Sequence, residues 1–94
     1  MYVIYTPEIK AFLHSIIPVK PIPGLEWDYK IHDIGIIPTK EDAILMAKEV
    51  QRIRVAEEIY HFSVQVLELG PNKLPSFRIP VYELSKPQRS FGIN

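Results

Sequence analysis

The stretch from Ile36 to Arg54 constrains the fold of this chain more than any other part, because it specifies a helix together with its beginning. Pro38 disfavours a helical conformation at the residue before it, and Thr39 is a good N-cap residue. Asp42 follows Thr39 by three positions, as the acidic partner in a capping box does. The sequence therefore predicts a helix that begins after Thr39 and ends near Arg54 to Ala56.

The predicted helix has one apolar side. Apolar residues recur at steps of three and four, which places them on a single stripe that packs against another element. The opposite side carries Lys48, Glu49 and Arg52, and Arg54 stands at the end of the helix. The apolar stripe consists of Ala43, Met46, Ala47, Val50 and Ile53.

Short apolar runs on both sides of this helix predict strands. The run Tyr2 to Tyr5 is β-prone and apolar on both faces, as a central strand is. Alternating apolar and polar residues predict further strands over 27–31, 60–66 and 77–82. The turn sequence Gly70-Pro71-Asn72-Lys73 predicts that the last two strands form an antiparallel hairpin.

Residues 7–17 allow two interpretations. The triplet Thr6-Pro7-Glu8 combines an N-cap residue, a proline for the first helical position and a first-turn acid. The favoured interpretation is a second helix over 7–17, and the alternative is that Tyr2 to Tyr5 continues into one longer irregular strand. The helical spacing is carried by Ile9, Phe12, Leu13 and Ile16.

These elements predict a single small α/β domain, with α+β as the alternative class. The order β-α-β-α-β-β predicts one mixed four-stranded sheet with two helices packed on it and a C-terminal antiparallel hairpin. We expect residues 1–84 to form the domain and residues 85–94 to form a flexible C-terminal tail. A chain of 94 residues leaves no room for a second domain.

The composition narrows the possible functions. The chain has no cysteine, which excludes disulfides and zinc–thiolate sites. Its formal net charge is zero, so the field of the whole chain gives no argument for nucleic acid or anionic membrane as a partner. No apolar run approaches the ~20 residues that span a bilayer. We expect a cytoplasmic protein without membrane association and without a cofactor.

Three functional hypotheses follow, and the favoured one assigns no catalytic, cofactor-binding or metal-ligating residue. The first is a small non-enzymatic binding module, a homodimer that contacts another protein. Its dimer or partner face would contain Trp27, Tyr29 and Tyr82, because a sheet with an uncovered aromatic face commonly buries it by association. Whether the chain is an enzyme stays open at this point.

The two alternatives use charged or titratable residues. A nucleic-acid-binding protein would use a basic patch of Lys48, Arg52 and Arg54 on the main helix. A small metal-binding or enzyme domain would be centred on His32 and His61, if the strands that carry them are neighbours.

Overall fold

The computed structural model describes residues 1–19 and 21–87 of the chain. In this part, five strands form one antiparallel sheet, and one long helix packs on one of its faces. The strands are β1 (Tyr2–Thr6), β2 (Ala11–Ile17), β3 (Gly24–Asp28), β4 (Val64–Glu68) and β5 (Tyr82–Leu84); the helix is α1 (Lys40–Ala56), and short 3-10 turns occupy Asp33–Gly35 and Pro71–Lys73.

The N-terminus of α1 confirms the prediction. Thr39 has an extended backbone, and its hydroxyl accepts a hydrogen bond from the Asp42 backbone N–H at 3.2 Å. This bond satisfies one of the free donors of the first turn. The helix therefore begins where the sequence predicted.

The C-terminus of α1 lies at Ala56, also as predicted, although no glycine follows it. Glu58 takes the left-handed conformation with φ of 57°. The Ile59 N–H donates to the Arg54 carbonyl at 2.8 Å, and the Glu58 N–H donates to the Val55 carbonyl at 3.0 Å. These two bonds form a Schellman motif, which closes the last turn.

The sheet has the order β3-β2-β1-β4-β5, so β1 is the central strand, as predicted. Successive β1 residues face opposite sides and are buried on both. We call the face that α1 covers the helix side and the opposite face the loop side. The helix-side core contains Ile4, Leu13, Val64 and Val66 with Ala43, Ala47 and Val50 of α1, and the loop-side core contains Val3, Tyr5, Phe12 and Leu67.

The α/β prediction holds only at the coarser level of a small α+β domain. The predicted order, the four strands, the mixed sheet and the second helix are wrong, because all strand pairs are antiparallel and residues 11–17 form β2. The triplet Thr6-Pro7-Glu8, which suggested the start of a helix, leads into the hairpin turn between β1 and β2 instead. Lys10 closes this turn with φ of 52°, and its N–H donates to the Pro7 carbonyl at 3.2 Å.

A β-bulge explains why β2 has helical spacing. Leu13 pairs with Trp27 and Ile16 pairs with Leu25, with a register shift between Leu13 and Ser15. All four paired residues belong to the helix-side core or pack against it. A regular strand would turn residues three apart to opposite faces, and the extra residue of a bulge restores them to the same face.

The C-terminal strands are displaced from their predicted positions. β4 begins at Val64, so Tyr60 and Phe62 precede it, and β5 begins only at Tyr82. The antiparallel pairing of the last two strands is confirmed. Pro80 interrupts the predicted strand over 77–82, since a proline cannot donate to a ladder. Of the predicted tail, residues 88–94 lie outside the described residues.

Two segments cover the loop side. Residues 31–37 lie beside β1, where Tyr2 and Ile37 exchange two backbone hydrogen bonds of 2.8 Å. Gly35 approaches β2 so closely that a Cβ atom there would lie 2.3 Å from the Leu13 carbonyl oxygen. Residues 69–77 form the second segment, in which the Ser76 N–H donates to the Glu68 carbonyl at 3.0 Å.

Candidate functional site

A buried arginine lies at the end of α1. Arg54 is only 2% exposed, although it belongs to the last turn of the helix. Its guanidinium carbon lies 4.6 Å from the centroid of the Trp27 ring and 5.0 Å from that of Phe62. Both distances are within the range of cation–π attraction. The cation therefore joins the helix end to β3 and to the segment before β4.

Arg54 donates two hydrogen bonds to neutral oxygens. One goes to the Thr6 hydroxyl at 2.8 Å and the other to the Ser63 carbonyl at 3.2 Å. Among the described residues, no carboxylate forms a salt bridge with it. Burial lowers the pKa of Arg54 to about 10, while the negative charge of Glu8 opposes this shift.

Glu8 is held by Ser63 and not by Arg54. Its carboxylate accepts from the Ser63 backbone N–H at 2.9 Å and from the Ser63 hydroxyl at 2.9 Å and 3.1 Å. Partial burial raises the pKa of Glu8, but the hydrogen bonds from Ser63 outweigh it, so the pKa lies below its usual value. Ser63 therefore contacts both charged groups: it donates to Glu8, and its carbonyl accepts from Arg54.

A groove of about 370 Å³ opens beside this network on the helix side. It exists because α1 contacts β4, β1 and β5 and leaves the β2–β3 half of the sheet without a helix above it. Among the described residues that line it, Arg54 and Glu57 are the charged ones. The remaining lining residues are Ile9, Gly24, Leu25, Trp27, Ile59 and Phe62.

Exposed apolar side chains lie in the second of the loop-side segments and its continuation. We call Leu74, Phe77 and Ile79 the loop-side patch; each is between 53% and 78% exposed. Phe77 lies on the loop-side core, with its ring centroid 5.1 Å from that of Tyr5. An ion pair of 2.6 Å between Lys73 and Asp33 joins the two segments.

The residues of the predicted dimer face differ in position and exposure. Trp27 and Tyr82 pack against the helix-side core and are only partly exposed. Tyr29 is 77% exposed and follows β3. The three aromatic residues therefore do not form one uncovered face, because the alternation of β3 and β5 turns Trp27 and Tyr82 toward α1.

The predicted basic patch is also divided. Lys48 and Arg52 are exposed on the outer side of α1, and Arg52 is paired with Glu49 at 2.9 Å. Arg54 lies inside the protein. Nucleic-acid binding stays a prediction that now rests on Lys48 and Arg52.

The structure places His32 and His61 in different surroundings. The Nε2 atom of His32 lies 2.6 Å from the Asp28 carboxylate, and its ring lies 4.5 Å from that of His14. His61 contacts the ring of Phe62. No group of three or more His, Asp or Glu residues in the described ranges is arranged to hold a metal ion.

The role of Arg54 was missed, although the sequence contains a signal for it. Arg54 follows Ala47 by seven positions and Val50 by four, so it continues the apolar stripe of α1. A cation on the buried stripe indicates an interior partner, and the aromatic residues Trp27 and Phe62 supply it.

The described part of the chain contains no helix that is long and apolar enough to cross a membrane. Comparison with protein-family models, with curated proteins and with solved structures gave no match to this chain.

Proposed function

We propose that this chain is a small non-enzymatic binding module, which forms a homodimer through the loop-side patch and contacts another protein in that form. The observation that supports the proposal is the exposure of three large apolar side chains, Leu74, Phe77 and Ile79, each more than half exposed, of which Phe77 packs on the loop-side core. Large apolar side chains exposed near one another in a small protein are typical of interaction sites.

Two further features favour a second copy as the first partner. The formal net charge of the chain is zero, so two copies approach each other without long-range repulsion. A two-fold interface uses the same patch on both copies, so one apolar patch is sufficient to form it. The cysteine-free composition suits the reducing cytoplasm, which we include in the proposal.

The molar mass in solution tests the proposal. Light scattering on a concentration series should give twice the mass of the chain at the higher concentrations. A strict monomer throughout the series would refute the homodimer.

A matched pair of variants locates the interface. Leu74 on the loop side and Leu45 on the outer side of α1 are 65% and 63% exposed. Leu74→Glu should give a monomer, because it would bury a carboxylate in an apolar contact, while Leu45→Glu should leave the mass unchanged. Dissociation by Leu45→Glu and not by Leu74→Glu would move the interface to the helix.

A further inference from the structure

We infer that the groove beside Arg54 is a binding site for a small monocarboxylic acid with an apolar or aromatic body. This site lies on the helix side and is independent of the loop-side patch. The proposal concerns a ligand of low molecular mass, and it stands on the arrangement of Arg54, Trp27 and Phe62 at the wall of the groove.

The first step of the argument is the incomplete use of Arg54. A guanidinium has five N–H donors, and the oxygens of Thr6 and Ser63 accept from two of them. The carboxylate of Glu8, whose charge acts on Arg54, accepts hydrogen bonds from Ser63 instead. A buried cation without a direct anionic partner is costly, and an incoming carboxylate would offset that cost.

The second step is the chemistry of the wall. Cation–π attraction to Trp27 and Phe62 fixes the position of the guanidinium before a ligand arrives. Arginine recognises carboxylates with two parallel hydrogen bonds, and an ion pair in surroundings poor in water is stronger than one on the surface. The wall therefore selects for an anion next to Arg54.

The third step is the size and polarity of the rest of the groove. A volume of about 370 Å³ lies at the lower end of the range for small-ligand sites. Ile9, Leu25 and Ile59 offer apolar contact for the body of the ligand. Glu57 also stands on the wall and disfavours a second negative charge, so a monoanion fits better than a dianion or a phosphate ester.

The fluorescence of Trp27, the only tryptophan, reports binding directly. We would titrate the protein at pH 7 with 4-phenylbutyrate and, as a neutral control of the same shape, with 4-phenylbutyramide. The carboxylate should bind with a dissociation constant on the order of 0.1–1 mM and about tenfold more tightly than the amide. Saturation-transfer NMR with the same two compounds detects binding that leaves the emission of Trp27 unchanged.

Charge variants at the rim test the role of Arg54 without disturbing the buried network. Ile9 lies on an exposed turn at the groove. Ile9→Glu and Ile9→Lys both remove an apolar contact and should weaken binding of the amide alike. The carboxylate should bind about three- to tenfold more weakly to Ile9→Glu than to Ile9→Lys, because only the charge near Arg54 differs. Arg54→Met, if folded by circular dichroism, should abolish the preference for the carboxylate.

Several results would overturn the inference. Equal binding of carboxylate and amide would show an apolar groove without anion recognition. Failure of both compounds to bind in both measurements would show that Arg54 has a structural role only. Equal effects of the two Ile9 variants on binding of the carboxylate would also contradict it. Each of these results leaves the homodimer test unaffected, because the loop-side patch shares no residue with the groove.

Discussion

The two faces of the sheet both have an apolar centre but are covered by different kinds of structure. On the helix side, α1 is 17 residues long and packs Ala43, Ala47 and Val50 against the core, and all three are fully buried. On the loop side, residues 31–37 and 69–77 cover Val3 and Leu67 and leave the loop-side patch exposed. The helix closes the part of its face formed by β1, β4 and β5, whereas the loop-side segments close only the centre of theirs.

The difference follows from backbone hydrogen bonding. A helix satisfies its own N–H and C=O groups, so it can cover a wide apolar surface without further polar partners. An irregular segment must find an outside partner for each buried backbone group, which restricts where it can lie. The loop-side segments use Tyr2 and Glu68 of the sheet for this purpose. The part of the sheet under α1 is therefore suited to stability, and the loop side leaves apolar surface exposed.

The largest expected effect on stability nevertheless lies on the loop side, at Gly35. A Cβ atom at this position would lie 2.3 Å from the backbone oxygen of Leu13, and neither backbone can move without breaking β2 or the Tyr2–Ile37 bonds. We expect Gly35→Ala to lower the free energy of unfolding by about 3 kcal/mol, measured by urea denaturation.

Gly70 supplies the control for this prediction. Its added Cβ would meet the Leu74 oxygen at an ordinary 3.7 Å, so Gly70→Ala should change the free energy of unfolding by less than about 0.5 kcal/mol. Equal effects at the two glycines would mean that residues 31–37 are not held against β2. The contrast between a closed and an open face would then be larger than we describe.

The second prediction compares buried valines on opposite faces. Val66 on the helix side and Val3 on the loop side are 0% and 1% exposed, and both lie in central strands. Val66→Ala should cost about 2–3 kcal/mol of unfolding free energy, because the helix cannot collapse into the space. Val3→Ala should cost about 1 kcal/mol less, because loop segments relax more readily than a packed helix. Equal losses of unfolding free energy in urea denaturation would show that α1 and the loop-side segments are equally rigid.

The sequence predicted the helix side better than the loop side, for a physical reason. The cap at Thr39, the stripe through Val50 and the apolar run Tyr2 to Tyr5 are local signals, and each corresponds to an element of the structure. The two segments that cover the loop side depend on contacts between residues far apart in the chain, such as Tyr2 with Ile37. No local pattern of residues encodes such a contact.

The false second helix has a definite cause. The bulge in β2 lets Leu13 and Ile16 share the helix side, so the strand carries a spacing that is typical of a helix. The sequence contains no residue that would indicate this bulge, because the extra residue is His14 and not glycine. The sequence therefore predicted the class of fold only coarsely, although it located its central strand and its helix.

The candidate site was predicted less well than the fold. Lys48 and Arg52 are exposed as expected, but Arg54 belongs to an interior cluster whose other members, Trp27 and Phe62, come from separate segments. The periodicity of α1 places Arg54 on the inner stripe, and only the folded sheet identifies what it meets there. A side chain at a helix end is exposed or buried according to its tertiary neighbours.

The smallest expected effect concerns Glu8, at the polar end of the helix side. Its pKa lies below the usual 4.5 because the hydrogen bonds from Ser63 outweigh the effect of burial. As pH falls below 4.5, the unfolded chain binds a proton at Glu8 before the folded chain does, so the stabilisation is lost as pH falls through the lowered pKa. Glu8→Gln should lose less than about 1 kcal/mol at pH 7, since the carboxylate is largely exposed to water.

Unfolding measured by urea between pH 7 and pH 3 checks this prediction. The free energy of unfolding should fall less steeply with decreasing pH in Glu8→Gln than in the unmodified chain. Glu68→Gln is the control, because no described residue donates a hydrogen bond to that carboxylate. If both variants followed the same pH dependence, the link from Glu8 through Ser63 would not stabilise the fold. The closed side would then be held at this end by the hydrogen bonds and ring contacts of Arg54 alone.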